Sequence, residues 1–125
     1  MKNALAVGVG GFFGCIARYL TGVLIIRLLA APVFPYATLL VNVLGCLLIG
    51  LLGGLAEHTQ LLSPQLQLLL IVGALGGFTT YSAFGYQTLA LVHEGRMLLA
   101  GLNVAAHITL GLSAVWLGEL IARQV

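Results

Sequence analysis

Charged side chains are confined to a few points along this chain, and long uninterrupted apolar stretches run between them. Residues 28–56, 58–93 and 97–118 contain no Asp, Glu, Lys or Arg. Each reaches or exceeds the ~20 residues that carry a helix across a bilayer. A fourth stretch, from Asn3 to about Ile26, is interrupted only by Arg18. Loop signals divide the stretches: Ala31-Pro32-Val33-Phe34-Pro35 ends the first, Glu57-His58-Thr59-Gln60 followed by Ser63-Pro64 separates the second from the third, and His93-Glu94-Gly95-Arg96 makes the last turn. Ser63 before Pro64 is a helix start with proline at the first helical position. The pattern predicts an all-α membrane protein with four transmembrane helices, at 3–29, 36–56, 64–92 and 96–123, forming a single domain over 1–125. Arg18 argues against reading the first stretch as a cleavable signal, which has a short apolar core and then a small-residue cleavage site.

Composition agrees with the pattern. The chain is 61% hydrophobic and 6% charged, with a mean hydropathy of +1.14, whereas a soluble domain carries roughly 25% charged residues. Cys15 and Cys46 both fall in predicted spans, where a thiol behaves as a small hydrophobe; neither a disulfide nor a metal site is favoured. No clustered nucleophile, base and orienting acid is present, and no metal-ligand spacing such as HExxH, so the chain is not expected to be an enzyme.

Charge also bears on orientation. With four spans, Lys2 and Arg123 fall on one side of the membrane and Arg27 and Arg96 on the other. Lys/Arg bias sets orientation, so a balanced chain inserts both ways up, and the two orientations can pair as an antiparallel homodimer. The competing reading is that one residue such as Lys2 decides. Four helices alone hardly enclose an ion path while keeping polar groups off lipid, which favours a partner subunit.

Arg18 is a permanent cation about sixteen residues into its helix, in a chain with no carboxylate well inside any span. An ionisable group at that depth costs ~2.5–3.5 kcal/mol on the insertion scale and marks a functional site by default; a lone buried cation points to anions. Its alternative is to snorkel to the headgroups. Glycine pairs four apart, Gly10 with Gly14, Gly50 with Gly54 and Gly73 with Gly77, read as helix-packing faces. The third span carries Gly73-Ala74-Leu75-Gly76-Gly77-Phe78-Thr79-Thr80-Tyr81-Ser82-Ala83-Phe84 at its middle. Glycine and β-branched threonine both weaken helix, so a break is expected there, and a broken membrane helix frees carbonyls and amides that must find partners in protein, water or an ion.

Three segments carry a resemblance. Gly10-Gly11-Phe12-Phe13-Gly14-Cys15-Ile16-Ala17-Arg18-Tyr19, Thr38-Leu39-Leu40-Val41-Asn42-Val43-Leu44-Gly45, and Gly76-Gly77-Phe78-Thr79-Thr80-Tyr81-Ser82-Ala83-Phe84 resemble, in order and by helix, the signature blocks of the Fluc (CrcB) fluoride channels. The resemblance implies an antiparallel dual-topology homodimer with two fluoride pores in a bacterial inner membrane. It implies a structural, untransported Na+ at the dimer centre, on the main-chain carbonyls of Gly76 and Thr79. It puts Arg18 and Asn42 at the aqueous vestibule and pore entrance, and Tyr81, Ser82 and Phe84 beside the fluoride path.

Residue chemistry is compatible with that implication. Fluoride is small and strongly hydrated, so a selective path must replace its water with donors such as amides, hydroxyls and the positive edges of aromatic rings. Asn42, Ser82, Thr79 and Thr80 supply donors. Asn103, His107 and Gly111 lie four apart on the fourth helix and share a face, making Asn103 and His107 candidates for the far part of the track. Asn42 also reads as interhelical glue, His107 as a satisfied buried histidine, and Phe84 as packing. The chain departs from the family pattern with Tyr81 where phenylalanine is usual, Ala83 where a hydroxyl residue is common, and Gln87 where glutamate is common; Gln87 and Thr80 remain candidates for the polar track. The chief competitor is a small dual-topology multidrug exporter, which needs a mid-membrane carboxylate, yet Glu57, Glu94 and Glu119 all lie at or near span ends. A non-catalytic assembly subunit would leave Arg18 and the Thr79-Thr80 break unexplained.

Overall fold

A computed structural model describes residues 1–30, 32–59 and 61–124; Ala31 and Gln60, both in expected loops, lie outside the described residues. Helix α1 (Lys2–Leu28) is followed by α2 (Tyr36–His58). The third span is built in pieces: a first turn α3 (Pro64–Gln67), a π-helical stretch Leu68–Leu75, a short α4 (Gly76–Phe78), then α5 (Tyr81–His93). Helix α6 (Met97–Ala122) completes the chain. Among the described residues, four helical spans are long and apolar enough to cross a membrane.

The sequence explains where these spans stop and start. Ser63 caps α3 by accepting the Leu66 N–H at 3.3 Å, ahead of Pro64, whose missing N–H costs nothing at that position. At the other end of the span, Arg96 N–H reaches the Leu91 carbonyl at 2.8 Å and Gly95 N–H reaches Val92 at 3.0 Å. Gly95 holds φ at +73° to allow this Schellman closure, so a single glycine reverses the chain into α6. The second helix runs two residues past the expected Ala56, to His58. Thr59 caps it by giving both its N–H and its hydroxyl to the Leu55 carbonyl.

Packing divides the helices into two close pairs, α1 with the first half of the third span and α2 with α6. Glycine makes both possible. A Cβ on Gly14 would stand 2.0 Å from the Ala74 carbonyl oxygen, and one on Gly10 would stand 2.1 Å from that of Leu69. Across the second pair, Gly50 meets the main chain of Val115, and Gly118 meets that of Leu47 and Leu51. Backbones at such range gain dispersion contact over the whole crossing. The remaining surface is apolar: Phe12, Phe13 and Trp116 are each more than 60% exposed, which suits lipid or another apolar partner and not water.

Candidate functional site

The third span breaks where the sequence places Thr79-Thr80. Thr79 takes φ −81°, ψ 161° and Thr80 takes φ −154°, ψ 111°, both extended. Two side chains then complete what the helix can no longer supply. Asn42 on α2 accepts the Thr80 N–H on Oδ1 at 2.8 Å and donates Nδ2–H to the Thr80 carbonyl at 3.0 Å. It acts as the missing strand partner of one residue. Thr80 Oγ1 accepts the Ala83 N–H at 3.2 Å and so starts α5. Thr79 returns its hydroxyl to the Leu75 carbonyl at 2.9 Å, and its methyl rests where Gly45 of α2 leaves room, 2.1 Å from where a Cβ there would stand.

Arg18 faces this break. Its Nη1 donates to the Thr79 carbonyl at 3.2 Å, and Nη2 lies 3.9 Å from the Cys15 sulfur. The guanidinium is therefore tied to the opened main chain. The Gly76 carbonyl also loses its ordinary donor, because the N–H of Thr80, four residues on, is given to Asn42. Gly76 and Thr79 thus present hard oxygen acceptors outside the regular helix ladder, the donor type by which main-chain rings coordinate alkali cations. Thr79 already accepts a cationic donor, and a carbonyl has two lone pairs. The donor set fits Na+, but two oxygens from one chain are too few to surround the ion.

Below the break opens a cleft of about 670 Å³. Asn42, Thr79, Thr80, Tyr81, Phe84, Thr88 and His107 all line it, with Cys46 and several aliphatic side chains. Phe84 sits between two rings: its centroid is 5.6 Å from Tyr81 and 4.3 Å from His107, tilted at 53° and 39°. A polar chain runs behind it. Thr88 donates its hydroxyl to the Phe84 carbonyl at 2.8 Å and accepts Asn103 Nδ2–H at 2.8 Å, and His107 Nδ1 lies 2.9 Å from the Asn103 carbonyl. Thr88 has one proton and spends it on Phe84, which fixes the Asn103 amide with nitrogen toward Thr88. Asn103 is fully buried. Its Oδ1, like His107 Nε2, has no hydrogen-bond partner among the described residues. On the same face, Gly111 is buried 3.5 Å, measured from an added Cβ, from the Cys46 sulfur.

Four of the candidate residues do not line this cleft: Arg18 and Asn103, which stand behind its wall, and Ser82 and Gln87. Ser82 is exposed, its hydroxyl 3.4 Å from that of Thr80. Gln87 lines a second, smaller cleft of about 300 Å³ with Thr38, Phe34, Leu91 and Glu94 at the end of the span. Its Oε1 is buried and without a hydrogen-bond partner among the described residues. The two clefts share no lining residue but lie along the same two helices: Thr38 is one turn from Asn42 on α2, and Gln87 is next to Thr88 on α5. Thr38 and Thr88 were not singled out as polar-track residues in the sequence. Each lies four residues from a residue that was, Asn42 or Phe84, so helical spacing alone would have found them.

Among the described residues no acid lines the larger cleft, and Glu94 lines the smaller one at the end of the span. Glu94 pairs with Arg96 at 3.2 Å and Glu119 pairs with Arg123, both near helix ends, and Glu57 is exposed. A proton-coupled exchange at a mid-membrane carboxylate has no residue to use.

The break, the Asn42 clamp and the Arg18 contact all lie within residues 5–119, which a family model described as CrcB-like protein, Camphor Resistance (CrcB), matches. The chain belongs to the CrcB family. Curated CrcB relatives match it along its whole length. A protein of Geobacter sulfurreducens named fluoride-specific ion channel FluC is 46% identical over 125 residues, covering all of both chains. Proteins of the same name from Flavobacterium psychrophilum and Chlorobaculum tepidum are 41% and 46% identical; the first match covers all of both chains, and the second covers 98% of this chain and 96% of the relative. CrcB membership agrees with four membrane-capable helices and with a multi-pass membrane protein.

Proposed function

We propose that this protein is a fluoride-specific channel of a bacterial inner membrane that lets the anion leave the cytoplasm passively. The observation that carries the reading is the helix break itself. Asn42 binds both main-chain groups of Thr80, while a cationic guanidinium and a donor-bearing cleft meet at the opened chain. Full-length relatives that bear the name of that function support it. It is a channel and not an enzyme: an inside-negative potential is worth ~2.3 kcal/mol per charge per 100 mV, which drives anions out with no coupling reaction.

In this reading fluoride enters past Arg18 and Asn42, moves along Phe84 and His107 with Tyr81 and Ser82 at the side, and leaves by the Thr38–Gln87 cleft, Thr88 serving as a wall residue whose one proton is already given to the Phe84 carbonyl. Thr80 and Asn103 hold the walls in position. The second copy packs antiparallel against the exposed apolar face that includes Tyr81, which is 84% exposed in one copy. The near-equal charge on the two sides, Lys2 and Arg123 against Arg27 and Arg96, is what a chain inserting in both orientations requires. Gly76 and Thr79 of both copies together would hold one Na+, which would supply fixed positive charge and tie the two breaks together.

The test is fluoride efflux from proteoliposomes, followed with a fluoride electrode after valinomycin is added, with chloride-loaded vesicles as control and Phe84→Ile alongside. Fast fluoride loss without chloride loss, abolished by Phe84→Ile, is expected. Equal loss of both anions, or none from well-folded protein, refutes the proposal.

A further inference from the structure

We infer that Thr88 is a positioning residue for anion selectivity: tied to Asn103, it fixes Phe84 in the cleft wall and so sets how well the path tells fluoride from chloride, without giving the ion a hydrogen bond itself. This rests on the reading of the cleft as the fluoride path. Because the third span is broken, α5 is a separate helix of 13 residues, and the ladder of the first half of the span ends with the Thr79 N–H on the Leu75 carbonyl. Thr80, Phe84 and Thr88 lie four apart and share one face. The threonine at each end of that row is tied to a neighbouring helix by an asparagine. Asn42 of α2 binds the main chain of Thr80 at 2.8 and 3.0 Å, and Asn103 of α6 binds the hydroxyl of Thr88 at 2.8 Å. Phe84 stands between the two ties.

The chemistry of the second tie gives each atom one task. A hydroxyl has one proton, and Thr88 gives it to the Phe84 carbonyl at 2.8 Å, so toward Asn103 it only accepts and it has no donor left for an anion. Asn103 is fully buried, and its amide makes the only side-chain hydrogen bond from α6 to α5 among the described residues. The same residue steadies the neighbouring ring: its main-chain carbonyl lies 2.9 Å from His107 Nδ1, and the His107 ring stands 4.3 Å from that of Phe84. Hydrogen bonds and ring contact thus close a circuit from Phe84 through Thr88, Asn103 and His107 back to Phe84, which is held by its main chain on one side and by its ring on the other. A recognition group serves only while its supports keep it within about 0.5 Å of the useful geometry. Chloride is larger than fluoride, so a Phe84 free to draw back widens the path in favour of chloride. Valine at 88 has the shape of threonine without the hydroxyl; it leaves the buried Asn103 amide with no acceptor on α5, and the tie between the helices is lost.

Reversal potentials in planar bilayers, with fluoride on one side and chloride on the other, test this. Thr88→Val and Asn103→Leu are each expected to lower the fluoride-to-chloride permeability ratio about tenfold, equivalent to about 1.4 kcal/mol, and the double variant to lower it no further than either alone, because both remove the same joint. Thr88→Ser keeps both the proton and the acceptor and should keep the wild-type ratio. A residue that only stabilises the fold changes the yield of folded protein or the size of the current, not the ratio. Unchanged ratios in Thr88→Val and Asn103→Leu overturn the inference and leave the channel reading intact, as does a loss in Thr88→Ser equal to that in Thr88→Val; wild-type protein that does not distinguish the two anions overturns both. The wild-type protein also gives a readout that needs no variant. A hydroxyl held between two partners exchanges slowly with water, so proton-detected NMR should show the Thr88 hydroxyl in contact with the Asn103 amide, and a freely exchanging hydroxyl would contradict the proposal.

Discussion

Asn42→Ala removes a single side chain that stands in for two main-chain partners. Asn42 donates at 3.0 Å and accepts at 2.8 Å on the same residue, Thr80, in a part-buried position. A buried donor or acceptor left without a partner costs about 1–3 kcal/mol, more than the net worth of the bond that served it. Two orphaned groups put the loss at about 2–6 kcal/mol, with the lower end reached if water from the adjoining cleft replaces the amide. A polar residue serving only as glue between membrane helices is worth about 0.6–2 kcal/mol, so the upper part of the range separates the two roles. The assay is reversible unfolding in mixed micelles with a rising fraction of dodecyl sulfate, read from Trp116 fluorescence, with fluoride current measured on the same preparation. The expected result is a loss above about 2 kcal/mol together with loss of current. Asn42→Asp keeps the acceptor for the Thr80 N–H but sets a carboxylate against the Thr80 carbonyl, and should lose current as well. Stability within about 0.5 kcal/mol of wild type with current unchanged would refute the clamp.

Other substitutions probe separate parts of the structure. Gly14→Ala puts a methyl 2.0 Å from the Ala74 carbonyl oxygen, which must part α1 from the third span and cost at least the ~1–3 kcal/mol of overpacking; Gly8→Ala, with nothing within 4 Å, should be neutral or gain up to about 1 kcal/mol from helix propensity. The same micelle titration compares them, and equal stabilities would contradict the packing account. Gln87→Leu removes the orphaned Oε1 together with the amide donors, so stability should stay within about 1 kcal/mol while fluoride current falls severalfold; undiminished current removes Gln87 from the path. Additional lysines next to Lys2, or next to Arg96 in a second variant, should lock each chain in one orientation. Each locked variant alone should then carry little current and the two co-expressed should restore it, whereas full activity from either alone would contradict antiparallel pairing.

Much of this molecule is legible along the chain because a bilayer leaves little choice. Residues 28–56, 58–93 and 97–118 carry no Asp, Glu, Lys or Arg and residues 3–26 carry only Arg18, and lipid admits only helices or closed barrels, so four helices follow from hydropathy. The break was legible for a similar reason: Gly76-Gly77 and Thr79-Thr80 are poor helix formers in mid-span, and Thr79 and Thr80 are the residues found extended. What completes the break was not legible. That Asn42 binds Thr80 and Arg18 binds Thr79 are contacts 38 and 61 residues apart in sequence, set by helix pairing rather than local pattern. Widening of the third span into a π-helix over Leu68–Leu75 also has no signal in its apolar sequence. The glycine pairs pointed to close packing, but which helices they join is a tertiary fact: Gly10 and Gly14 meet Leu69, Gly73 and Ala74, whereas Gly50 meets Val115.

The most direct test of the central claim is the reversal potential of purified protein in a planar bilayer, with fluoride about tenfold higher on one side and chloride about tenfold higher on the other. A fluoride-specific path predicts a reversal close to the fluoride equilibrium value, about 59 mV for a tenfold gradient of a singly charged ion, unchanged when chloride is replaced by a larger anion. A reversal near zero, or one that follows the chloride gradient, would contradict it.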